Sequence, residues 1–469
     1  EEYWMSTEAT KITADALSDQ DIARDAASEP WPSPARAWYA VVIFALALMI
    51  NMLDRGIIPL LVGSIKRDLS LSDTQMGFLM GPAFIIFYMI LGLPIARLAD
   101  YGSRRLILGV GVTIWSIMTA LCGLAQSFWQ LFLGRIGVGS GEACSGPATF
   151  SMLADLFPKE KLPRAIAVLN FGFYAGNGIA LIIGGTIVQM FADAPSVTLP
   201  LINITMRGWQ MTFIVIGLPG LIVAALMATV REPKRRGLIR ANSDDSAKTV
   251  PIREVFAFLR RNRTTFAPIF IGMGIQVVLA YGVLNWAPAF YMRNFGWTPR
   301  RYGLAMGVIT ITVLPIGTLF GSILAERFAR AGYDDANLRV VLLSKLLAMP
   351  FGIVFPFLTN AYQAIALSTI GLFILSWNAA PLNAALQVIT PNQMRGQITA
   401  LFLFIFNVIG FGLGPLLVAF FTDYVFRAES QIGYSMALTA LILGPLGTLI
   451  IWLGLKPYGR SVAAARNWA

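Results

Sequence analysis

WYAVVIFALALMINMLDRGIIPLLVGSI, residues 38–65, is a long apolar run whose only charged residues are the adjacent Asp54 and Arg55. As a helix, a run of this length crosses the ~30 Å hydrocarbon core of a bilayer. A charge at that depth costs about 2.5–3.5 kcal/mol on insertion scales, so ionisable groups inside a membrane are typically paired and functional. The stretch therefore predicts a transmembrane helix and marks Asp54 and Arg55 as functional residues.

The composition extends this prediction to the whole chain. Apolar residues make up 56% of the sequence and charged residues 13%, whereas about 25% of a soluble domain is charged. Because backbone in lipid must satisfy its own hydrogen bonds and no alternating barrel pattern is present, the apolar segments predict an all-α membrane protein. We number its twelve transmembrane helices as spans 1–12, and they begin near Trp38, Met76, Leu106, Phe128, Pro163, Trp209, Phe266, Tyr302, Leu338, Tyr362, Met394 and Ile432.

The net charge of +11 is concentrated in particular loops. Lysine and arginine follow spans 2 and 4 and fill the long loop between spans 6 and 7, whereas the loops on the other side are short or poor in them. The positive-inside rule then places both termini in the cytoplasm. The basic central loop is also suited to binding anionic membrane lipids, although topology alone accounts for its charge, and no nucleic-acid partner is predicted.

Two pairs of loops indicate an internal repeat. ARLADYGSRR, residues 96–105, follows span 2, and SILAERFAR, residues 322–330, follows span 8, with Asp100 and Glu326 aligned 226 residues apart. ADLFPKEKLPRA, residues 154–165, and QVITPNQMRGQ, residues 387–397, repeat at nearly the same offset. We therefore predict two pseudo-symmetric six-helix halves, 37–231 and 264–457, a cytoplasmic linker at 232–263, a disordered cytoplasmic tail at 1–36 and a cytoplasmic tail at 458–469. Such parallel repeats place the binding site between the halves, near the bilayer midplane.

The loop after span 2 resembles the signature of the major facilitator superfamily, Gly-x-Leu-Ala-Asp-Arg-x-Gly-Arg-Arg, although Ala96 and Tyr101 depart from it. The resemblance implies the major facilitator fold. A carboxylate at a helix end can pair with arginines and with the N-terminus of a neighbouring helix, which would latch the two halves together. The alternative is a solvated surface pair worth about 0–1 kcal/mol. The predicted cytoplasmic gate comprises Asp100, Arg104, Arg105, Glu326, Arg327 and Arg330.

A closer resemblance is to the Spinster subfamily. It is carried by NMLDRG (51–56) in span 1, by LGRIGVGSGEACSGPA (133–148) in span 4, and by MLADLFP (152–158) and RGW (207–209). The C-terminal half matches only at superfamily level. The resemblance implies a bacterial homologue, in the inner membrane, of proton-linked exporters of lysolipids and sphingolipid phosphates, with drugs and other amphiphiles as further candidate substrates.

Four charged residues inside the spans predict a coupling site. Arg135 and Glu142 are two turns apart on span 4 and project from one face. Depths are counted from the outer ends of spans 1 and 4 at 1.5 Å per residue. Asp54 then lies about 15 Å deep, between Arg135 at about 10 Å and Glu142 at about 21 Å, so Arg135 can pair with either carboxylate. Because a nearby cation favours the charged carboxylate, movement of Arg135 relative to Asp54 would load or release a proton. The alternative is a permanent structural network.

We assign Asp54 as principal proton carrier, Glu142 as second carrier and Arg135 as the partner contested by substrate and proton, with Arg55 supporting a gate. The chain has no histidine, so proton coupling has to use carboxylates. GVGSG, residues 137–141, lies in an apolar helix without a preceding strand or a GK[ST] sequence, which indicates close helix packing and not a nucleotide loop. Transport is therefore predicted to be secondary, with no enzyme activity, cofactor or metal.

Polar and aromatic residues within the apolar spans are candidates for a substrate cavity, because an amphipathic substrate needs an apolar wall with few oriented polar groups. Packing and interhelical hydrogen bonding are the alternative for each of them. Besides Arg135, these candidates are Tyr88, Asn170, Tyr174, Asn285, Trp286, Trp377, Asn378, Asn383 and Asn407. The C-terminal half is rich in Phe, Leu and Ile, so we predict a headgroup toward spans 1 and 4 and a tail toward spans 7, 8, 10 and 11.

These patterns predict a monomeric secondary transporter that works by alternating access and exports a lipophilic or amphipathic substrate in exchange for protons. Two alternatives stay open at this point. One is a proton-coupled symporter of a small organic anion, with Arg135 binding the carboxylate. The other is a receptor or scaffold built on a transporter fold, which would tolerate a neutralised Asp54.

Overall fold

The computed structural model describes residues 31–158, 160–192, 196–199, 204–235 and 250–466. Span 1 is a single long helix, and spans 2 and 4 are each interrupted by a short turn. The helices of the first half are α1, Pro34–Leu69 (span 1); α2, Asp73–Met80, and α3, Pro82–Tyr101 (span 2); α4, Arg104–Cys122 (span 3); α5, Phe128–Glu142, and α6, Ser145–Leu156 (span 4); α7, Leu162–Ala192 (span 5); and α8, Gly208–Thr229 (span 6).

The second half follows a short linker helix, α9, Ile252–Arg261, and span 10 in this half is broken at the same place as span 4 in the first. Its helices are α10, Arg263–Phe295 (span 7); α11, Pro299–Arg330 (span 8); α12, Ala336–Val354 (span 9); α13, Ala361–Ser376, and α14, Ala379–Val388 (span 10); α15, Arg395–Phe420, continued by a π-helical turn, Phe421–Phe426 (span 11); and α16, Ile432–Ala465 (span 12). Short 3₁₀ turns lie at Phe355–Phe357, Asn392–Met394 and Glu429–Gln431.

The predicted all-α membrane architecture is confirmed. Within the described part of the chain, eleven spans are helical, long and apolar enough to cross a membrane. Span 4 completes the twelve; it is less apolar than the others because Arg135, Glu142 and a glycine- and serine-rich run lie in it. One small element was not predicted: the loop between spans 5 and 6 contains an antiparallel strand pair, β1, Ser196–Leu199, and β2, Ile204–Arg207.

Much of the linker and of the N-terminal tail, including residues 1–30 and 236–249, lies outside the described residues. The last helix continues past the predicted end of the second half to Ala465. Within the linker, α9 is amphipathic: Val255 is buried against the second half, whereas Ile252 and Phe256, which flank it on the helix surface, are exposed.

The two halves pack against each other mainly through spans 2 and 11 and through spans 5 and 8. At Gly81, in the turn between α2 and α3, a Cβ atom would lie 2.4 Å from the carbonyl oxygen of Phe411 on span 11. Glycine therefore permits a backbone-to-backbone approach between the halves that any other residue would prevent.

The arrangement of the cores differs between the two membrane faces. We call the face that carries Pro34 and Ala465 the terminal face, and the face that carries Leu69 and Asp73 the far face. Toward the far face one continuous apolar core includes residues of both halves, such as Leu60 and Trp286. Toward the terminal face each half has its own core. The halves are thus joined at the far face and separate at the terminal face.

Candidate functional site

Arg55 and Glu142 form a close ion pair between spans 1 and 4. Arg55 Nε donates a hydrogen bond to Glu142 Oε2 at 2.8 Å. The Glu142 side chain is completely buried, whereas 21% of the Arg55 side chain is exposed. The sequence analysis assigned Arg55 to a gate and gave Glu142 no partner of its own. The structure instead makes Arg55 the partner of Glu142, because its long side chain reaches around span 1 to the face of span 4.

Asp54 and Arg135 form a second pair, which is looser. The distance from Arg135 Nη1 to Asp54 Oδ1 is 3.8 Å, which permits electrostatic attraction but is too long for a hydrogen bond. Asp54 is 1% and Arg135 2% exposed. Of the two carboxylates open to Arg135, the structure therefore pairs it with Asp54. The site holds two cations and two carboxylates, and its net charge is zero when all four are ionised.

Several polar atoms of this cluster have no hydrogen-bond partner among the described residues. They include both carboxylate oxygens of Asp54, Oε1 of Glu142, and Nδ2 of Asn51, which lies nearly one turn before Asp54 on span 1. On span 3, Oγ of Ser116 and Oγ1 of Thr119 are in the same state. A buried polar atom without a partner costs about 1–3 kcal/mol. A group of them around two ion pairs is therefore unlike a purely structural core, where such atoms are rare.

Glycine residues of span 4 allow this cluster to form. A Cβ atom at Gly139 would lie 2.3 Å from the carbonyl oxygen of Phe84 on span 2, and one at Gly141 would lie 2.6 Å from the backbone nitrogen of Trp115 on span 3. The GVGSG run therefore brings span 4 into backbone contact with two neighbours, as the sequence analysis predicted. This contact fixes the part of span 4 that carries Arg135 and Glu142 against spans 2 and 3.

An aromatic wall that the sequence analysis mostly missed surrounds Arg55. The Arg55 Cζ atom is 4.7 Å from the ring centroid of Phe84, 5.2 Å from that of Tyr88 and 5.8 Å from that of Phe411. Phe411 in turn packs on Tyr281 with ring centroids 3.8 Å apart. Phe411 and Tyr281 belong to the second half, so the wall touches the Arg55–Glu142 pair from both halves. Of these rings only Tyr88 was predicted, because a phenylalanine in an apolar helix is not distinguishable from core.

A second charged network, also missed, connects the halves at the far face. Arg293 of span 7 binds the Asp73 carboxylate with both terminal nitrogens, at 2.8 and 2.7 Å. Lys66 of span 1 contacts Asp73 at 2.6 Å and Glu429 at 2.8 Å. Close by, Asp423 of span 11 accepts hydrogen bonds from the Thr74 backbone nitrogen and hydroxyl, both at 2.6 Å. This far-face network consists of Lys66, Asp73, Thr74, Arg293, Asp423 and Glu429.

The predicted cytoplasmic gate is not assembled between the halves. Arg104 is buried and binds Asp155 and Glu232, both in the first half or directly after it. The Arg105 side chain donates to backbone carbonyls at the end of span 6. In the second half Glu326 pairs locally with Arg330 at 3.0 Å, and both are exposed, as is Arg327. The side chain of Asp100 lies outside the described residues.

Glu232 takes the place at the start of span 3 that the sequence analysis gave to Asp100. Its carboxylate accepts hydrogen bonds from the backbone nitrogen of Arg105 at 2.7 Å, from Arg104 Nε at 2.9 Å and from the Ser103 hydroxyl at 2.9 Å. Burial raises the pKa of Glu232, but these donors outweigh that effect and hold the pKa below its usual range. The carboxylate therefore caps a positive helix end.

Most of the other predicted substrate residues make local contacts. Trp286 is completely buried and donates to the carbonyl oxygen of Pro415 at 2.7 Å, so it joins spans 7 and 11 and does not face a cavity. Trp377 packs against Phe320 of span 8. Tyr174 is half-buried, and the Asn170 side chain lies outside the described residues. Four asparagines donate to carbonyl oxygens of their own helix or its preceding turn: Asn285, Asn378, Asn383 and Asn407.

Comparison with known proteins agrees with this geometry. The profile of the Major Facilitator Superfamily matches residues 44–415. An MFS-type efflux pump of Mycolicibacterium smegmatis is 27% identical over 432 residues, which is 92% of this chain and 95% of that protein. A hexuronate transporter of Bacillus subtilis is 27% identical, covering 82% of this chain and 87% of the other. Spinster homolog 1 of Xenopus tropicalis is 25% identical, covering 83% and 74%.

The fold has a close counterpart among solved structures. A bacterial homolog of the human lysosomal transporter Spinster, in an inward-facing and unoccupied conformation, superposes with a TM-score of 0.75 and 24% identity, over 93% of this chain and 99% of the other. The resemblance to Spinster proteins noted in the sequence is thus confirmed in sequence and in fold.

Proposed function

The chain belongs to the Major Facilitator Superfamily and is a membrane transporter, and from this premise we propose that it exports a lipophilic or amphipathic substrate in exchange for protons. Asp54 and Glu142 carry the protons. Arg135 and Arg55 are the cations that compete with those protons for the two carboxylates. The protein would lie in a bacterial inner membrane with both termini in the cytoplasm. The terminal face would then be the cytoplasmic one.

The observation that carries the proposal is the pair of buried ion pairs that differ in tightness. Glu142 is held by a 2.8 Å hydrogen bond to Arg55, whereas Asp54 lies 3.8 Å from Arg135 and its oxygens have no donor among the described residues. A carboxylate that is buried and poorly satisfied is the one most readily protonated. Protonation of Asp54 would weaken its attraction to Arg135 and so rearrange the pairing between spans 1 and 4.

The contacts between the halves support alternating access. The far-face network and the shared core close one side, and the separate cores leave the other side open. In the opposite state the far-face network would break, and the exposed Glu326, Arg327 and Arg330 would approach the loop after span 2. Arg55 contacts aromatic rings of both halves, Phe84 in the first and Phe411 in the second. Rearrangement of the halves therefore changes the environment of its partner Glu142, which would couple protonation to the change of state.

The choice of an amphipathic substrate rests on the lining and on the relatives. Around Arg55 the accessible walls are aromatic, and Tyr88 offers a polar hydroxyl beside them. An apolar wall with few polar groups suits a molecule with one charged end. The similarity to an MFS-type efflux pump supports export over uptake of a nutrient.

Proton flux in proteoliposomes tests the proposal. Purified protein is reconstituted with an internal pH dye, and lysophosphatidate is added under an imposed pH gradient. We expect lipid-evoked flux in the wild type and none with Asp54→Asn. Asp68→Asn is the matched control, because Asp68 is a partly exposed far-face carboxylate that pairs within the first half. Flux that persists in a well-folded Asp54→Asn sample would refute the assignment of Asp54.

Uptake of a small organic anion is the second candidate function. The observation that favours it is the similarity to the hexuronate transporter, whose substrate carries a carboxylate. Arg135 would then bind the substrate carboxylate directly. Flux evoked by hexuronates and absent with lysolipids would favour this alternative.

A further inference from the structure

The second half contains an apolar cavity, partly open at one edge, that the proposed function does not use. Its volume is about 140 Å³, and its lining comes from spans 7, 8, 9, 10 and 12. It therefore lies inside the second six-helix bundle, not between the halves. Most of the lining is aliphatic or aromatic, and the polar side chains that reach it are few. They are Gln276, Tyr291, Tyr302, Lys345 and Ser368.

Lys345 gives this cavity its chemistry. It lies on span 9 and is only 7% exposed. Among the residues that the structure describes, its ammonium group makes no hydrogen bond or ion pair, and no aspartate or glutamate lines the cavity. By contrast Lys66, the other buried lysine of the described chain, contacts two carboxylates. A buried cation without a counter-charge carries a desolvation cost of several kcal/mol, which an anion entering the cavity would offset.

The internal repeat relates this cavity to the coupling site. The 226-residue offset of the loops after spans 2 and 8 aligns Asp54 with Ala280 and Thr119 with Lys345. The offset of the proline loops after spans 4 and 10, Pro158 with Pro391, aligns Arg135 with Ser368. Ala280, Lys345 and Ser368 all line the cavity.

The same alignment places Leu375 at the position of Glu142, and Leu375 also lines the cavity. The second half thus keeps the location of the coupling site but has neither its carboxylates nor its two arginines. It gains one cation on the neighbouring helix. Where the first half has two cations balanced by two carboxylates, the second half has a single uncompensated positive charge.

We propose that this cavity is a binding site for a carboxylate attached to a small apolar group, with Lys345 as its counter-ion. A cavity of about 150 Å³ can accept benzene, so the space suits a carboxylate on a ring or a short chain. The hydroxyl of Ser368 donates to the carbonyl oxygen of Ile365 at 3.0 Å and lies 3.4 Å from the hydroxyl of Tyr291, so Tyr291 is the further donor for the second carboxylate oxygen. Ala280 is exposed and Leu284 is 48% exposed, so the cavity has accessible residues at one edge through which a ligand can enter.

The proposal places an anionic group in the second half, whereas the sequence analysis placed the headgroup against spans 1 and 4. It does not depend on proton coupling, because none of its residues belongs to the coupling site. A failed proton-flux experiment would not affect the proposed carboxylate site. Likewise, a failed test of the carboxylate site would not affect the proposed proton coupling.

Calorimetric titration of the purified full-length protein with benzoate tests the proposal. Benzamide, which has nearly the same shape without the charge, is the ligand control. We expect benzoate to bind, and Lys345→Met to weaken its binding at least tenfold. Lys456→Met, which neutralises an exposed lysine of the same half, should leave binding unchanged. Equal binding of benzamide, or benzoate binding that survives Lys345→Met, would overturn the proposal.

A second variant guards against a folding defect in Lys345→Met. Ala280→Asp supplies a resident carboxylate at the position that corresponds to Asp54. It should abolish benzoate binding and raise the Tm of the ligand-free protein. Titration with sodium chloride is the last control. If chloride binds in a Lys345-dependent way and benzoate does not, the ligand is a halide, and the proposed ligand class is contradicted.

Discussion

Removal of the Asp73 charge should open the far face. Asp73 is completely buried and lies at the centre of the far-face network, between Arg293 and Lys66. The Arg293 contact exists only while the halves are joined at this face, whereas the Lys66 contact lies within the first half and orients the same carboxylate. Asp73→Asn keeps the shape of the side chain but removes its charge. The closed state should lose stability relative to the state in which the far face is open.

The size of the effect follows from the contacts that remain. Removal of one partner of a buried ion pair costs about 3–5 kcal/mol when the other partner is left without a counter-charge. Here Glu429 already contacts Lys66 at 2.8 Å and Arg293 at 3.6 Å, so both cations keep a carboxylate. We therefore expect a cost below that range, about 2–3 kcal/mol, which is roughly a 30- to 150-fold shift in the equilibrium. A closed population of about 99% would fall to between about 40% and 75%.

Distances between spin labels report this shift directly. Cysteines at Gln126 and Thr359 place labels on exposed far-face loops of opposite halves, and the native Cys122 and Cys144 are buried. Pulsed dipolar spectroscopy should show one short distance for the wild type and an added longer one for Asp73→Asn. Asp68→Asn is the control, because the Asp68 pair lies within the first half. An unchanged distance distribution in Asp73→Asn would refute the conclusion that the network holds the far face closed.

Two further variants test the packing and the cap. Gly139→Ala should lower the Tm and reduce transport, because overpacking against the Phe84 carbonyl costs about 1–3 kcal/mol. Gly146→Ala is the control and should behave as wild type, because no atom lies within 4 Å of the added Cβ. Equal Tm values for the two variants would contradict the packing argument. Glu232→Gln should cost about 1 kcal/mol near neutral pH through loss of the helix cap. Because folding lowers the pKa of Glu232, this stabilisation is present above the unfolded pKa of ~4.3 and is lost as the pH falls through the folded pKa. The unfolding curves of the variant and the wild type should therefore converge in acid. A difference that stays constant with pH would refute the role of Glu232 as a helix cap.

The sequence predicted that the charged residues of spans 1 and 4 lie together but not how they pair. Asp54, Arg135 and Glu142 could be identified because charges are rare inside apolar segments, and helix geometry fixed their depth. Which arginine binds which carboxylate depends on side-chain rotamers and on the tilt of two helices. Neither follows from spacing along one helix, so the role of Arg55 as partner of Glu142 emerged only in three dimensions.

The far-face network and the Lys345 cavity were missed for different reasons. Asp73 and Arg293 lie near span ends, where charged residues are ordinary and usually solvated, and only the docking of the two halves buries them. Lys345 lies inside a predicted span, and its position could have been noticed in the same way as Asp54. Its lack of a partner, however, is a property of five helices together and has no signature in the sequence.

The central claim is that Asp54 couples protons to transport and does not itself bind the substrate. Counterflow and gradient-driven transport of labelled lysophosphatidate, measured in the same proteoliposomes, separate these roles. We predict that Asp54→Asn keeps counterflow within about twofold of the wild type, because counterflow exchanges one substrate molecule for another and needs no proton step, and loses accumulation driven by a pH gradient. Loss of both activities in a folded sample, or accumulation that persists, would contradict the claim.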